Sequence, residues 1–295
     1  MATSSSKLPP SVYGVGYTNP SSRVQLEVRR WAVLFIVLAP FAATVWAMAR
    51  LWGGLFGPTD LALFLAFTVM SAMGITVGFH RMLTHRGFTA PNWLRAIFLA
   101  MGSMAVEGPA VEWAATHVKH HAKSDKEGDP HSPVEGFWHA HMGWLFRDPT
   151  LHDGPWAKPF AHDRLAHFID RTFLLWVGLS LLIPFLIGGW TGLLWGGFVR
   201  IFFVHHITWS VNSVCHTWGS RMYDTADQSR NNVIVGVLAF GEGWHNNHHA
   251  HPSAAIHGHK WWQVDASGYL IRTLEKVGIV KNVVRHQSAP HQGAK

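Results

Sequence analysis

The stretch LALFLAFTVMSAMGITVGF, Leu61 to Phe79, runs 19 residues without a charge and ends directly in HRMLTH, His80 to His85. About 20 apolar residues cross the hydrocarbon core of a bilayer. The stretch therefore reads as a membrane span that delivers histidines to one membrane face. Trp31 to Ala49 is a second uncharged run of 19, bounded by Arg29-Arg30 and Arg50. Thr172 to Val199 carries no charge over 28 residues, and the apolar character continues past Arg200 to about Val214. One helix of that length would need extreme tilt. A break at Gly188-Gly189 or Gly192 divides it into spans from about Phe168 to Ile187 and from about Thr191 to Val214. Pro40 and Pro184 are expected to kink the spans that hold them, as transmembrane helices tolerate. Asn92 to Val106 is apolar but shorter and contains Arg95, so it reads as an interfacial or buried helix.

Composition agrees. Of 295 residues, 14% are charged and 48% hydrophobic, with 16 Trp. Low charge and long apolar runs exclude a disordered chain. The single cysteine, Cys215, excludes a disulfide scaffold, a Cys-ligated zinc and a Cys-ligated iron–sulfur cluster. Histidines number 22, against 17 acidic residues. The reading is an all-α integral membrane protein with four transmembrane helices in two hairpins.

Flanking Lys and Arg orient it. Lys7, Arg23, Arg29 and Arg30 precede the first span, the 50–60 connection has Arg50 alone, and the 188–192 turn has neither Lys nor Arg. Both termini are expected to be cytoplasmic. The expected organisation is an N-terminal segment over 1–29, a hairpin over 30–80, a cytoplasmic cap over 81–167, a second hairpin over 168–215, and a cap with C-terminal tail over 216–295. Residues 1–11 are expected to be disordered and do not resemble a signal peptide.

Two crossings return the chain to the cytoplasmic side at residue 80, and four return it near 215. The histidine clusters fall there. His117, His120 and His121 form an HxxHH triplet in the loop between hairpins, and His245, His248 and His249 form another in the C-terminal part. Residues at i, i+3 and i+4 share one helix face, so each triplet can converge. Asn212 and His216 make an i, i+4 pair at the end of the fourth span. His80 and His85 are five apart, and converge only if the helix ends between them. Imidazole suits zinc, copper, iron and nickel. Eight or nine imidazoles exceed the shell of one zinc, so two metals are more economical, but spacing does not choose iron. Metal-bound histidines commonly donate their other N–H to carboxylates. Glu112, Asp125, Asp129 and Glu242 are placed for that.

HRMLTH, HVKHH and HNNHH resemble the three histidine boxes of the integral-membrane fatty acyl desaturases, especially the Δ9 (stearoyl-type) group and its bacterial members. Gly74–Phe79, Asp129-Pro130-His131, Gly136-Phe137-Trp138, His141–Leu145 and Gly241-Glu242-Gly243 match too, and the similarity covers about residues 30 to 275. The resemblance implies two iron ions held by His80, His85, His117, His120, His121, His216, His245, His248 and His249, with Asn212 acting through a water. Zinc can occupy the same imidazoles in purified material. It implies a cytoplasmic catalytic cap and O2-dependent introduction of a cis double bond, at Δ9, into a saturated acyl chain. The match places Trp113, Thr208 and Trp209 at the kink of an apolar tunnel, and Glu107 where relatives usually carry Gln. Arg200 matches a family arginine of unassigned role. His205 and His206 are expected to be helix-packing residues.

The Arg-Asp pair that precedes the second box in animal acyl-CoA desaturases is replaced by Ala115-Thr116 here, and the Thr-His start of the box resembles bacterial and cyanobacterial enzymes. Acyl-CoA and acyl-lipid substrates both stay open. No electron-transfer domain is fused, so a separate donor is implied: a ferredoxin, a cytochrome b5-like protein or a flavin reductase. The net charge of +7 suits an acidic donor docking near Lys119, Lys123 and Lys126, or equally anionic membrane lipids. No nucleic-acid partner is expected. The alternatives are a di-iron hydroxylase or ketolase of alkyl or carotenoid substrates, and a non-enzymatic membrane metal- or haem-binding protein. The expected location is the bacterial inner membrane.

Overall fold

The computed structural model describes residues 23–50, 54, 56–147 and 155–286. The disorder expected over residues 1–11 lies outside them. The described residues form α-helices, π-helical and 3₁₀ segments, and isolated bridges, with no β-strand among them.

Helix α1 covers Arg23–Arg50 and α2 covers Pro58–Met73. Pro58 starts α2, and the Asp60 carboxylate accepts the Gly57 N–H at 2.8 Å, so a donor that helix winding leaves orphaned is satisfied. The chain then continues without interruption as a π-helix, Gly74–Thr84. Helices α3 (Asn92–Ser103) and α4 (Ala110–Lys123) follow. Gly74 lets α3 approach closely: a Cβ there would lie 2.1 Å from the Gly102 nitrogen. Helix α5 (Phe137–His141) and α6 (Arg164–Arg171) lead to α7, Phe173–Gly192. A π-helical segment, Leu193–Val199, joins α7 to α8, Arg200–Ser213. The C-terminal part holds α9 (Val233–Leu238), α10 (His245–Ala250) and α11 (Ala266–Lys276).

Three helical tracts are long and apolar enough to cross a membrane: Glu27–Ala49, Pro58–Thr84 and Phe173–His216. The last, at 44 residues, is broken at Gly189, whose φ of 61° and ψ of −146° suit only glycine. The chain doubles back there, because Arg200 reaches the Ser180 carbonyl at 3.2 Å. A straight helix would separate those residues by about 30 Å. The break thus falls at the Gly188-Gly189 position read from sequence. Phe168, expected to open the third span, instead belongs to the short α6, separated from α7 at Thr172.

Arg200 is fully buried. It donates to Ser71 Oγ at 3.1 Å, the Met104 carbonyl at 2.6 Å and the Ser180 carbonyl, and lies 5.8 Å from the Phe67 ring centre. One guanidinium thus clasps α2, the α3–α4 connection and α7, with carbonyls taking the place of a counter-ion. Arg200→Leu leaves those oxygens buried and unpaired, and is expected to lower stability by about 3 kcal/mol or more. Detergent-solubilised thermal unfolding checks it. His205 donates to the Ala105 carbonyl at 2.9 Å, and His206 pairs with His141 at 3.0 Å. Both are packing partners, as expected.

Candidate metal centre

The second helical tract does not end between His80 and His85. It winds as a π-helix through Thr84, and the His85 N–H donates to the His80 carbonyl at 3.0 Å. On an α-helix two residues five apart point about 140° from each other. The wider π turn, with its i to i+5 bonds, brings them to the same side. The two rings stand 4.8 Å apart, edge to face. HxxxxH therefore converges by widening the helix, where the sequence suggested ending it.

Helix α4 carries His117, His120 and His121, and α10 carries His245, His248 and His249. Their spacing works as read, with a division the spacing does not reveal. His80, His85, His117, His121 and His248 bring one ring nitrogen each to within 4.8 Å of one another; His120, His216, His245 and His249 form a second such group. Each triplet is shared between the two groups.

The contacts within the groups test whether metal ions fit. Nε2 of His80 lies 3.1 Å from Nε2 of His248, which lies 2.8 Å from that of His121. His117 Nε2 is 2.9 Å from His85 Nε2 and 3.0 Å from His121 Nε2, and His216 Nε2 is 3.0 Å from His245 Nε2. For metal–nitrogen bonds of about 2.1 Å, adjacent ligands at right angles lie about 3.0 Å apart. The observed separations match that edge. Several of these rings are already committed at Nδ1. His80 donates to Glu242 at 2.6 Å, His120 to Asp129 at 2.9 Å, His216 to Asp125 at 2.9 Å and His249 to Asp227 at 2.7 Å. That fixes the tautomer and leaves an Nε2 lone pair aimed inward. His120 Nε2 and His249 Nε2 are buried with no partner. Facing lone pairs repel unless a cation sits between them, so the donor set suits two metal ions.

Electrostatics agree. Burial, reinforced by neighbouring imidazoles, holds His85, His117, His120, His121, His245, His248 and His249 well below the ordinary histidine range. They stay neutral, the form that ligates. Burial works against the Glu242 carboxylate, but His80, Arg81 and His257 outweigh it and hold it ionised.

Asp125, Asp129 and Glu242 thus stand where the sequence placed them. Glu112 does not: it is bound to Arg29 at 2.7 Å. Its place beside the second triplet gives it the right height on α4 but the wrong face. Asp227, which sequence reasoning missed, takes the fourth position. Its only signal was a loop acid 22 residues before His249, too ordinary to single out. Asp227→Ala is expected to weaken metal retention about 10–100-fold. The nearby exposed Asp224→Ala is expected to leave it unchanged, with metal content after chelator dialysis as the readout.

Two further features hold the centre together. Arg81, fully buried, donates to Glu242 at 3.0 Å, Asp265 at 3.0 Å and the Ala255 carbonyl at 3.0 Å. It ties the π-helix to the C-terminal part. Asn246 and Asn247, between the histidines of the third box, are both fully buried. Asn246 Oδ1 accepts the Met222 and Tyr223 N–H groups at 2.7 Å, and Asn247 donates to the His257 carbonyl at 2.9 Å and to Gln263 at 3.0 Å. Those loops present Asp227 and Asp265.

Two cavities meet beside the histidines. One, of about 260 Å³, is lined by Glu107, Trp113, His117, Thr208, Trp209 and Asn212 among others. The other, of about 50 Å³, shares Trp113, His117, Thr208 and Asn212, then runs between Ala72, Ile75 and Val211. Trp113 stacks on His117 at 5.2 Å and donates its indole N–H to Glu107 Oε2 at 3.2 Å. Of the three lysines expected at a docking surface, Lys123 and Lys126 are exposed and Lys119 is buried, because it faces into the packed side of α4.

A family model described as fatty acid desaturase matches residues 57–274. The chain is 43% identical over 222 residues to an sn-1 stearoyl-lipid 9-desaturase of Anabaena variabilis, covering 74% of this chain and 81% of that one. It is 39% identical over 264 residues to a Delta-9 acyl-lipid desaturase of Arabidopsis thaliana, covering 87% and 82%. It is 38% identical over 270 residues to an acyl-CoA C20 Delta5-desaturase of Anemone leveillei, covering 87% and 84%.

Proposed function

The chain belongs to the fatty acid desaturase family, and from that premise we propose that it introduces a cis double bond, at Δ9, into a saturated acyl chain carried by a lipid or by coenzyme A. One observation carries the reading. Nine imidazoles form two converging groups, and the cavity junction at Trp113 and Thr208 runs beside them.

The five-histidine group would hold one iron and the four-histidine group the other, with Asn212 beside the latter through a water. Bound iron would supply the O2 chemistry that an unactivated C–H bond demands and side-chain acids and bases cannot provide. The balance is simple: removing two hydrogens from the acyl chain supplies two of the four electrons that take O2 to two waters. The other two electrons come from a separate donor protein, and the remaining two protons from solvent.

The chain's own residues aim this chemistry. Glu242, Asp129, Asp125 and Asp227 fix the ring orientations. An acyl tail offers no polar handle, so position along it must be set by shape. Trp113 and Thr208 line both cavities where they meet and Trp209 lines the larger one, so together they would form the bend and keep water from the histidines.

Glu107 is set into that bend. Burial pushes its carboxyl up to about 7, although Thr208 and Trp113 hydrogen bonds oppose the shift. Below that pH it is neutral and tolerates an adjacent alkyl chain; above it a buried charge faces the chain. Activity is expected to fall as pH rises through 7, with only about a tenth of the carboxyl still neutral at pH 8. Glu107→Gln is expected to flatten that limb of the profile.

The reading includes four crossings with both termini and the histidines on the cytoplasmic side of a bacterial inner membrane. The reversal at Gly189 supports the fourth crossing. The proposed division is 1–29 N-terminal segment, 30–80 and 168–215 hairpins, and 81–167 and 216–295 caps.

The test is expression in a host lacking its own desaturase, with double-bond positions read by mass spectrometry. New cis-Δ9 monoenes are expected. Hydroxylated chains in their place would transfer the centre to hydroxylation.

A further inference from the structure

We infer that the electron donor is an acidic one-electron carrier protein docking on Trp261 and Trp262, and that Trp262 and Trp244 bridge its electrons to the four-histidine group through His245. This rests on the desaturase reading above and places the donor that the reaction requires.

Trp261 and Trp262 lie in the loop between α10 and α11. Trp261 is 93% exposed and Trp262 44%. Tryptophan is highly buried on average, and exposed aromatic side chains are what protein interfaces concentrate. Behind the pair a ring path leads inward. Trp262 meets Trp244 edge to face, with centroids 5.5 Å apart, which is contact distance for two rings. Trp244 is fully buried, and its indole N–H donates to the Val264 carbonyl at 2.7 Å. That bond ties it to the loop that carries Trp262. Trp244 is joined through the backbone to His245, whose Nε2 lies 3.0 Å from that of His216 in the four-histidine group. One surface ring and one buried ring therefore separate solvent from a metal-facing imidazole.

Electron tunnelling falls steeply with distance and across gaps, so two rings in contact shorten the hop. Neither ring needs to be oxidised. Each donor molecule loses one electron, and two such transfers supply the two electrons that the acyl chain does not, with O2 as the final acceptor.

The rim around the pair is basic. Lys260 precedes it and is exposed. His259 stacks on His286 at 3.7 Å, which brings in Arg285, and Arg272 lies within electrostatic reach of His286. Tyr223 hydrogen-bonds His259 at 2.9 Å, which brings in Arg221. Against these cations stand Asp224 and Glu275, paired with Arg221 at 3.9 Å and with Arg285. Among the described residues no carboxylate pairs with Lys260 or Arg272, so these two can meet carboxylates of a partner. The other basic surface, at Lys123 and Lys126, exposes no aromatic side chain over 122–128. An aromatic centre inside a basic rim suits a protein with an acidic rim around its cofactor, steered by charge and held by ring contact. A bilayer surface also accepts Trp and Lys side chains, but gives no reason for the ring contact to Trp244 beside His245.

The probe is an acidic [2Fe–2S] ferredoxin, with the full iron-loaded chain in nanodiscs of phosphatidylcholine. Cys215, the single cysteine, is fully buried, so Trp261→Cys supplies the one reactive thiol. A membrane-impermeant maleimide is expected to label it quickly, and ferredoxin to slow that labelling severalfold. Slow labelling before ferredoxin is added means that lipid or a second copy covers the patch, and overturns the inference. Labelling that ferredoxin leaves unchanged also overturns it.

Electron entry is read without O2, as the loss of the reduced-ferredoxin spectrum in stopped flow, beside chemical reduction of the ferric chain by dithionite. Trp261→Ala is expected to weaken ferredoxin binding about tenfold. Trp262→Ala is expected to slow oxidation of saturating ferredoxin severalfold, and Trp262→Phe to recover most of the rate. Iron content and the dithionite rate are expected to stay the same. Equal slowing with dithionite would assign Trp262 to holding the fold, and a wild-type ferredoxin rate in Trp262→Ala would remove the bridge. Loss of ferredoxin binding through Lys123→Glu in place of Trp261→Ala would move docking to that surface. Each of these three results overturns the inference. Docking and electron entry as expected, with no double bond formed once O2 is admitted, would uphold it and remove the desaturase reading. Double bonds formed at the wild-type rate by Trp262→Ala would do the reverse.

Discussion

Replacing His248 with Ala is expected to reduce double-bond formation to the level of the empty host. His248 Nε2 is the shared corner of two nitrogen–nitrogen edges, 3.1 Å to His80 and 2.8 Å to His121. Its ring also lies tilted 4.6 Å from that of His257 and edge to face 4.7 Å from that of His85. Removing it opens one metal site and leaves a void beside buried imidazoles. His80 and Glu242 remain paired at 2.6 Å, so the frame should persist while one metal is lost. Metal analysis beside fatty-acid analysis separates the effects: about one metal per chain, a folded protein and no product. Wild-type product from the variant would mean that these imidazoles are not ligands.

The second large effect is expected at Arg81, where the loss is structural. Arg81→Leu leaves Glu242 and Asp265, 7% and 1% exposed, without their common cation. Stranding a buried charge costs about 3–5 kcal/mol. Asp265 is still held by the N–H groups of His257 at 2.7 Å and Gly268 at 2.8 Å. Among the described residues Glu242 has the imidazoles of His80 and His257 but no other Lys or Arg in contact. The expected outcome is a lowered unfolding temperature together with weakened retention of the metal in the five-histidine group. Arg81→Lys is expected to recover part of the stability, since a single ammonium cannot reproduce the forked contacts to two carboxylates and a carbonyl. A variant as stable as the wild type would show that the cation is not what joins the π-helix to the C-terminal part.

What could be read from sequence was what obeys α-helical spacing. The two HxxHH triplets converge because i, i+3 and i+4 share a face, and the glycine break in the long apolar tract falls at Gly189 because only glycine takes that backbone conformation cheaply. His80 and His85 were legible as partners but not in their geometry, since no local signal announces π winding. Asp227 and Arg81 depend on contacts made across long stretches of chain. Asp227 reaches His249 through a loop hung on Asn246, and Arg81 reaches Asp265 over 184 residues. Glu112 was misplaced for the complementary reason. Five residues before His117, it lies about 140° round α4 from that imidazole, and there it meets Arg29, on a helix 83 residues away. The split of each triplet between two groups is likewise tertiary, set by where the π-helix and the end of α8 meet α4 and α10.

The central claim is that the histidines hold two iron ions in separate five- and four-imidazole groups. Iron content of the purified, anaerobically loaded chain, with X-ray absorption at the iron edge, tests it most directly. Two irons per chain, surrounded by nitrogen and oxygen with no sulfur, is the expected result. One iron per chain in fully loaded, folded protein would contradict it.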